Sequence, residues 1–127
     1  LLTHMLLAAN DNDSSEFFIP DQIRKIMTFL DEHYDQRLSL NDLAKTHSIS
    51  KYHLVREFKK YTGFTPYQYL INTRITRAKQ LLTNTDLPVT EIASKVGIDN
   101  VSHFINLFKK REDITPHSFR KKWQRRL

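Results

Sequence analysis

The chain has 127 residues, 39% of them apolar, which suits one ordinary domain or two small subdomains and excludes a large multidomain enzyme. Two Gly and four Pro are too few breakers for a turn-rich sandwich or barrel, so the expected class is all-α. Twenty Lys and Arg against 14 Asp and Glu leave a charge of +6 and point to a polyanionic partner, and the excess sits late: residues 1–49 carry four bases and eight acids, residues 50–127 sixteen and six.

Leu1-Leu2-Thr3-His4-Met5-Leu6-Leu7-Ala8-Ala9 is apolar but short and has no basic leader, which reads poorly as a signal peptide. Asn10 to Glu16 is polar, acidic and aperiodic. Residues 1–20 are therefore expected to be the tail of a missing N-terminal domain plus a flexible linker. Nowhere does an apolar run approach the roughly 18 residues of a membrane helix, and no membrane partner is expected.

A helix starting near Asp21 carries Ile23, Ile26, Met27, Leu30 and Tyr34 on one stripe. Ser39, a good N-cap with Asp42 three residues on, opens a short helix with Leu40, Leu43 and Ala44 inward, ending by His47-Ser48. Ser50 caps a third helix, in which Leu54, Phe58 and Tyr61 face one way and Lys51, Tyr52, Val55, Arg56 and Lys59 the other, and Gly63 stops it. Thr65-Pro66, a cap followed by proline at the first helical position, opens a long helix to about Thr83 with Tyr67, Ile71, Ile75, Ala78 and Leu82 on one stripe.

The rest of the chain repeats this plan. Leu43-Ala44 to Ile49 matches Ile92-Ala93 to Ile98 at an offset of 49, and His53, Phe58-Lys59-Lys60 and Thr65-Pro66 match His103, Phe108-Lys109-Lys110 and Thr115-Pro116 at an offset of 50, so one residue is inserted in the second turn. Each copy is a short helix, a tight turn and a longer helix with polar and basic residues outward, the helix-turn-helix arrangement. The spacing predicts about seven helices: a first helix-turn-helix subdomain over 21–64, a linker helix over 65–84 and a second subdomain over 85–127.

At these residues the chain resembles the C-terminal DNA-binding domain of the AraC/XylS family of bacterial transcription regulators. The resemblance covers about Ile23 to Trp123 and is strongest in Ala93 to Pro116 with Phe119-Arg120, and in Ser50 to Ile75, where Phe58-Lys59-Lys60, Gly63, Pro66, Tyr69-Leu70 and Arg74 fit the family pattern. Two departures stand out: Asp113 replaces the glycine that the first copy has at Gly63, and Thr46-His47-Ser48 lacks the glycine that Gly97 supplies in the second turn. Asp and Ser tolerate tight turns less well than Gly, so local strain is expected at both places.

A helix held from behind by Leu54, Phe58 and Tyr61 can enter a major groove about 12 Å wide and present its outward N-terminal residues to base edges. Tyr52, Val55 and Arg56 are best placed in the first copy. By resemblance, the second recognition helix presents Val101, Ser102, His103 and Asn106, with Ile105 beside them. Arg56 suits a bidentate guanine contact and Asn106 is the natural adenine reader. Val55 and Ile105 occupy matching apolar positions, and two readings stay open for them: contact with thymine methyls, or packing. Lys51, Lys59, Lys60, Lys109, Lys110 and Arg111 are the expected phosphate contacts, weighed against a plain solvated face. The run from Arg120 to Arg126 either adds nonspecific phosphate contacts or is an exposed tail.

Other chemistries find little support. There is no cysteine, hence no disulfide, thiolate zinc site or cysteine nucleophile, and a cytoplasmic location is expected. The six histidines form no metal-binding motif, with His53 and His103 on separate helices, and no Gly-rich phosphate loop exists, so neither metal nor cofactor is expected. Glu57, Glu91 and Glu112 lie among basic neighbours and read as ion-pair partners, not acid–base catalysts. Two rival functions are a DNA-repair alkyltransferase, opposed by the missing cysteine, and a protein-interaction domain with RNA polymerase as partner, which is compatible with double-stranded DNA as main ligand. The expected state is a monomeric fragment of a protein that dimerises through its missing N-terminal domain.

Overall fold

The computed structural model describes residues 18–124. Among them lie seven α-helices and no strand: α1 (Asp21–Glu32), α2 (Leu40–Thr46), α3 (Lys51–Thr62), α4 (Pro66–Asn84), α5 (Val89–Lys95), α6 (Val101–Glu112) and α7 (Pro116–Trp123). The expected tail and most of the linker, and the last two bases of the C-terminal run, fall outside the described residues.

The internal repeat is realised helix by helix. α2 and α5 are offset by 49 residues and α3 and α6 by 50, which makes Asp99 the added residue between Ile98 and the start of α6. The two turns close alike: Ile49 N–H donates to Ala44 O at 3.0 Å and Ile98 N–H to Ala93 O at 2.9 Å. Both recognition helices end in a left-handed residue, Gly63 at φ 84° and Asp113 at φ 68°, each donating its N–H to the carbonyl four residues back at 2.8 Å. Ser48, at φ 53°, stands where the other copy has Gly97 at φ 91°. Ser48 and Asp113 are the non-glycine residues of positive φ among those described, and they are the two departures from the repeat pattern. The strain expected there is present, and the fold absorbs it.

The chain forms two compact units whose boundaries interleave. The first takes α1 as far as Leu30 together with residues 39–67; the second takes residues 31–38 and the chain from Gln68 onward. In the first unit Ile23, Ile26, Met27, Leu30, Leu43, Ala44, Leu54 and Phe58 are buried. The α1 stripe is seated on the end of α2 by polar as well as apolar contacts. Phe29 meets the His47 ring edge-on at 5.5 Å, Gln22 Nε2 donates to His47 O at 3.0 Å, and His47 Nδ1 lies 2.9 Å from Leu43 O.

In the second unit Ile71, Ile75, Ala78 and Leu82 of α4 pack with Ile92, Ala93, Val96, Ile98, Phe104, Phe108 and Phe119. Tyr67, expected on the same α4 stripe, is instead 58% exposed. Tyr67 stands in the first turn of α4 and belongs to the first unit, whereas the rest of the stripe belongs to the second. Tyr34 also leaves its expected place: α1 ends at Glu32, and Tyr34 packs half-buried against the second unit's core.

Two arginines bind the backbone where long helices end. Arg74, only 8% exposed, donates from Nε to Tyr34 O at 2.6 Å and from Nη2 to Gln36 O at 2.7 Å. Arg120 donates from Nε to Leu82 O and from Nη2 to Thr85 O, both at 3.1 Å, and Gln124 Nε2 reaches Thr85 O at 2.8 Å. Leu82 is in the last turn of α4, where carbonyls lack an intrahelical partner, and Tyr34, Gln36 and Thr85 lie just past the helix ends. Lys79 pairs with Glu112 at 3.2 Å, as expected for that glutamate; Glu57 and Glu91 have no cation within 4 Å among the described residues.

Glycine is required at Gly97 for two reasons. A Cβ there would stand 3.1 Å from Arg74 Cζ and 3.1 Å from the Asp35 backbone, whereas a Cβ at Gly63 would meet nothing within 4 Å. Gly63→Ala therefore carries backbone strain alone, about 1 kcal/mol. Gly97→Ala adds a tight contact that the Asp35 backbone and Arg74 must relieve by shifting, and should cost roughly 2–4 kcal/mol in urea unfolding. Equal losses at the two sites would show that the packing around Gly97 is not as described.

Tyr69 donates its hydroxyl to Asp31 at 3.0 and 3.2 Å. Desolvation raises the Asp31 carboxyl above its ordinary value, opposed by the Tyr69 hydrogen bond and the nearby Arg77 charge and reinforced by Glu32. Desolvation, with the Asp31 charge, drives the Tyr69 phenol far above its usual range, so it stays a donor. The native carboxyl being the weaker acid, Asp31's contribution to stability is complete when it is protonated and declines as pH rises from its unfolded value through its raised native value. Tyr69→Phe removes an opposing influence and should move the Asp31 titration further upward, read by NMR of the carboxyl carbon. A downward movement would overturn the assignment.

Candidate nucleic-acid interface

Each recognition helix is fixed at its start and along its back. Ser50 Oγ accepts the His53 N–H at 3.1 Å, and Asn100 Oδ1 accepts the His103 N–H at 2.9 Å. Caps of this kind contribute about 1 kcal/mol each and define the first turn, the part of the helix that would meet base edges. Behind α3, Leu54 and Phe58 are fully buried; behind α6, Phe104 and Phe108 are. With an aromatic four residues after another large apolar side chain in the core, neither helix is free to roll.

The outward faces match at most positions, Lys51 against half-buried Val101 and Arg111 against half-buried Tyr61 being the exceptions. Lys51, Tyr52, His53, Arg56, Lys59 and Lys60 are exposed on α3, and Ser102, His103, Asn106, Lys109, Lys110 and Arg111 on α6. Tyr52, Arg56 and Lys59 correspond to Ser102, Asn106 and Lys109, on one face at helical spacing. Arg56 lies over the Tyr52 ring with its Cζ 5.6 Å from the centroid. The last turns hold Lys59 and Lys60, and Lys109, Lys110 and Arg111, where cations complement the negative end of the helix dipole.

Of the three apolar candidates, Val55 is half-buried. Val101 and Ile105 are half-buried as well and pack against the second unit's core. Arg120 is committed to the Leu82 and Thr85 carbonyls, which withdraws it from the basic run in which it was counted. The α6 cap at Asn100 was not anticipated, although adding the repeat offset to Ser50 points to it. Among the described residues no group of three His, Cys, Asp or Glu is placed to hold a metal ion, and no helix is long and apolar enough to cross a membrane.

The sequence matches the family described as "helix-turn-helix domain" over residues 43–122, which takes in α3 through α6 whole and both turns. The chain belongs to the AraC/XylS family. Among solved structures, the C-terminal domain of AraT, a response regulator from Geobacillus stearothermophilus, superposes with a TM-score of 0.83 at 28% identity, covering 85% of this chain and 90% of that one. The DNA-binding domain of AdpA, a global transcriptional factor solved with a target DNA, gives 0.78 at 25% identity over 82% and 94% of the two chains. AdaA of Bacillus subtilis, named a bifunctional transcriptional activator and DNA repair enzyme, is 39% identical over 95 residues, 75% of this chain and 45% of its own. Three further curated relatives, named as HTH-type transcriptional regulators or activators, are matched over 34–39% of their own length, so the chain spans well under half of each.

Proposed function

We propose that the chain is the DNA-reading part of a bacterial transcription regulator and that α3 and α6 enter successive major grooves of one duplex. The observation that carries this reading is the pair of capped helices, each anchored by buried aromatics and presenting matched exposed polar faces. In the first, Arg56 reads guanine, with Tyr52 and Val55 beside it; in the second, Asn106 reads adenine beside Ser102 and His103. Lys51, Lys59, Lys60, Lys109, Lys110 and Arg111 contact phosphate, which makes binding salt-dependent. The chain acts as a monomer in the cytoplasm and has no catalytic role of its own. The repair activity in AdaA's name is that protein's own, and this chain has no cysteine on which a cysteine-based acceptor could be built. RNA polymerase is the second partner in this reading, and dimerisation resides in parts of the longer protein.

Hydroxyl-radical footprinting with a monomer of proven mass tests the mode of binding. Two protected patches on one face, roughly one turn or 34 Å apart, are expected. A single patch would leave only one helix engaged.

Individual roles separate by salt. Arg56→Ala should cost roughly 1–3 kcal/mol on the selected site and relax preference at one position, with a smaller loss on scrambled DNA. Lys59→Ala or Lys109→Ala should weaken both DNAs alike and lower the salt slope by about one unit. If Arg56→Ala behaves like the lysine variants, Arg56 is a phosphate contact and base reading passes to its neighbours on α3.

A further inference from the structure

We infer that Tyr52 is a positioning residue whose ring holds the Arg56 guanidinium ready for base contact, and that α3 therefore carries a preorganised reader that α6 lacks. This rests on the DNA-reading function proposed above and assigns Tyr52 a role exerted through Arg56 in place of direct base contact.

The argument starts from the side chains one turn apart on α3. Tyr52 is 77% exposed, on a helix whose Leu54 and Phe58 are buried. Its ring is not part of the core, and Arg56 Cζ lies 5.6 Å from its centroid. Arg56 has no carboxylate within 4 Å among the described residues, so the ring is what fixes the cation's position. A cation–π contact is made with the ring face and consumes no hydrogen-bond acceptor, so N–H donors of Arg56 remain to be offered to a guanine O6/N7 pair. A free arginine side chain loses about 2 kcal/mol of rotamer freedom when it is ordered. One already resting on a ring loses less of it at the moment of binding, which is the usual gain from preorganisation. At the matching positions of α6, Ser102 has no ring to offer Asn106.

The test is a double-mutant cycle on the chain as it stands, with binding to its selected site and to scrambled DNA measured across a salt series. Tyr52→Leu removes the ring at an exposed site on a helix that leucine favours, and circular dichroism checks that helicity is kept. The ratio of specific to scrambled affinity should fall about two- to fivefold, the scale of an exposed cation–π contact, with the salt slope unchanged. Tyr52→Phe, which restores the ring without its hydroxyl, should recover the ratio. In an Arg56→Ala background Tyr52→Leu should have no further effect. Equal losses from Tyr52→Leu with and without Arg56 would mean that Tyr52 touches DNA itself and would overturn the positioning role. Failure of Tyr52→Phe to recover the ratio would assign the effect to the hydroxyl and overturn it as well. If the unaltered chain does not distinguish its selected site from scrambled DNA, the DNA-reading function falls first and this inference with it; discrimination by the unaltered chain with an additive cycle removes this inference alone.

Discussion

A buried cation is among the costliest groups a small fold can carry unless it finds acceptors, and Arg74 donates to the Tyr34 and Gln36 carbonyls in the connection between α1 and α2. Much of the second unit follows from this. Residues 31–38 are drawn into it and not into the unit of their sequence neighbours. Tyr34 comes to rest on its core, with Arg77 over its ring at 5.4 Å, and Tyr69 finds Asp31. Gly97 brings its left-handed backbone so near Arg74 and Asp35 that a side chain there would force them to shift. The helix-turn-helix turn of the second copy is thus shaped by a residue on the helix that precedes the whole motif.

The two copies solve the same problems with different residues. Arg120 does at the end of α4 what Arg74 does beyond α1. Tyr69 uses its hydroxyl, whereas Phe119, fifty residues on, stacks edge-on against Phe108 at 5.5 Å. The sharpest divergence is at the recognition-helix ends. α3 finishes with Thr62 and Gly63, the threonine hydroxyl donating to Phe58 O at 2.7 Å. α6 finishes with Glu112 and Asp113, two acids at the negative end of the dipole, where cations are preferred. Lys79, 3.2 Å from Glu112, offsets part of that cost.

Most of the architecture was legible in the sequence because it is carried by local signals: caps at Ser39 and Ser50, the stop at Gly63, apolar spacing, and an offset that changes by one residue. The repeat even located the strained backbone, since Ser48 and Asp113 are where glycine is missing. What escaped depends on contacts between residues far apart in the chain. Arg74 and Arg120 act on carbonyls 35 to 40 residues away, and no periodicity encodes that. Arg120 also sat in a run of bases that suggested one shared role. Tyr67 was misplaced by extending a stripe one step too far toward the helix start, though its repeat partner His117, polar and exposed, argued against it. Among the interface candidates the charged and polar residues are exposed, while the apolar Val55 and Val101 are half-buried and their chemistry suits either side.

The interleaved threading of the two units bears on how the molecule is made. The segment around Asp35 leaves the ribosome well before its partners: Arg74 follows some forty residues later and Gly97 some sixty, which at about 5–20 residues per second is a delay of several seconds. Over that interval residues 39–67 can assemble on α1, while the neighbouring stretch 31–38 remains unsatisfied and open to wrong pairings. Synthesis thus imposes a sequence of events, the earlier motif first and the later one gathering in a piece of chain already extruded. Mutations that slow the arrival or docking of Arg74 would then lower the yield of native protein even where they leave its final stability intact.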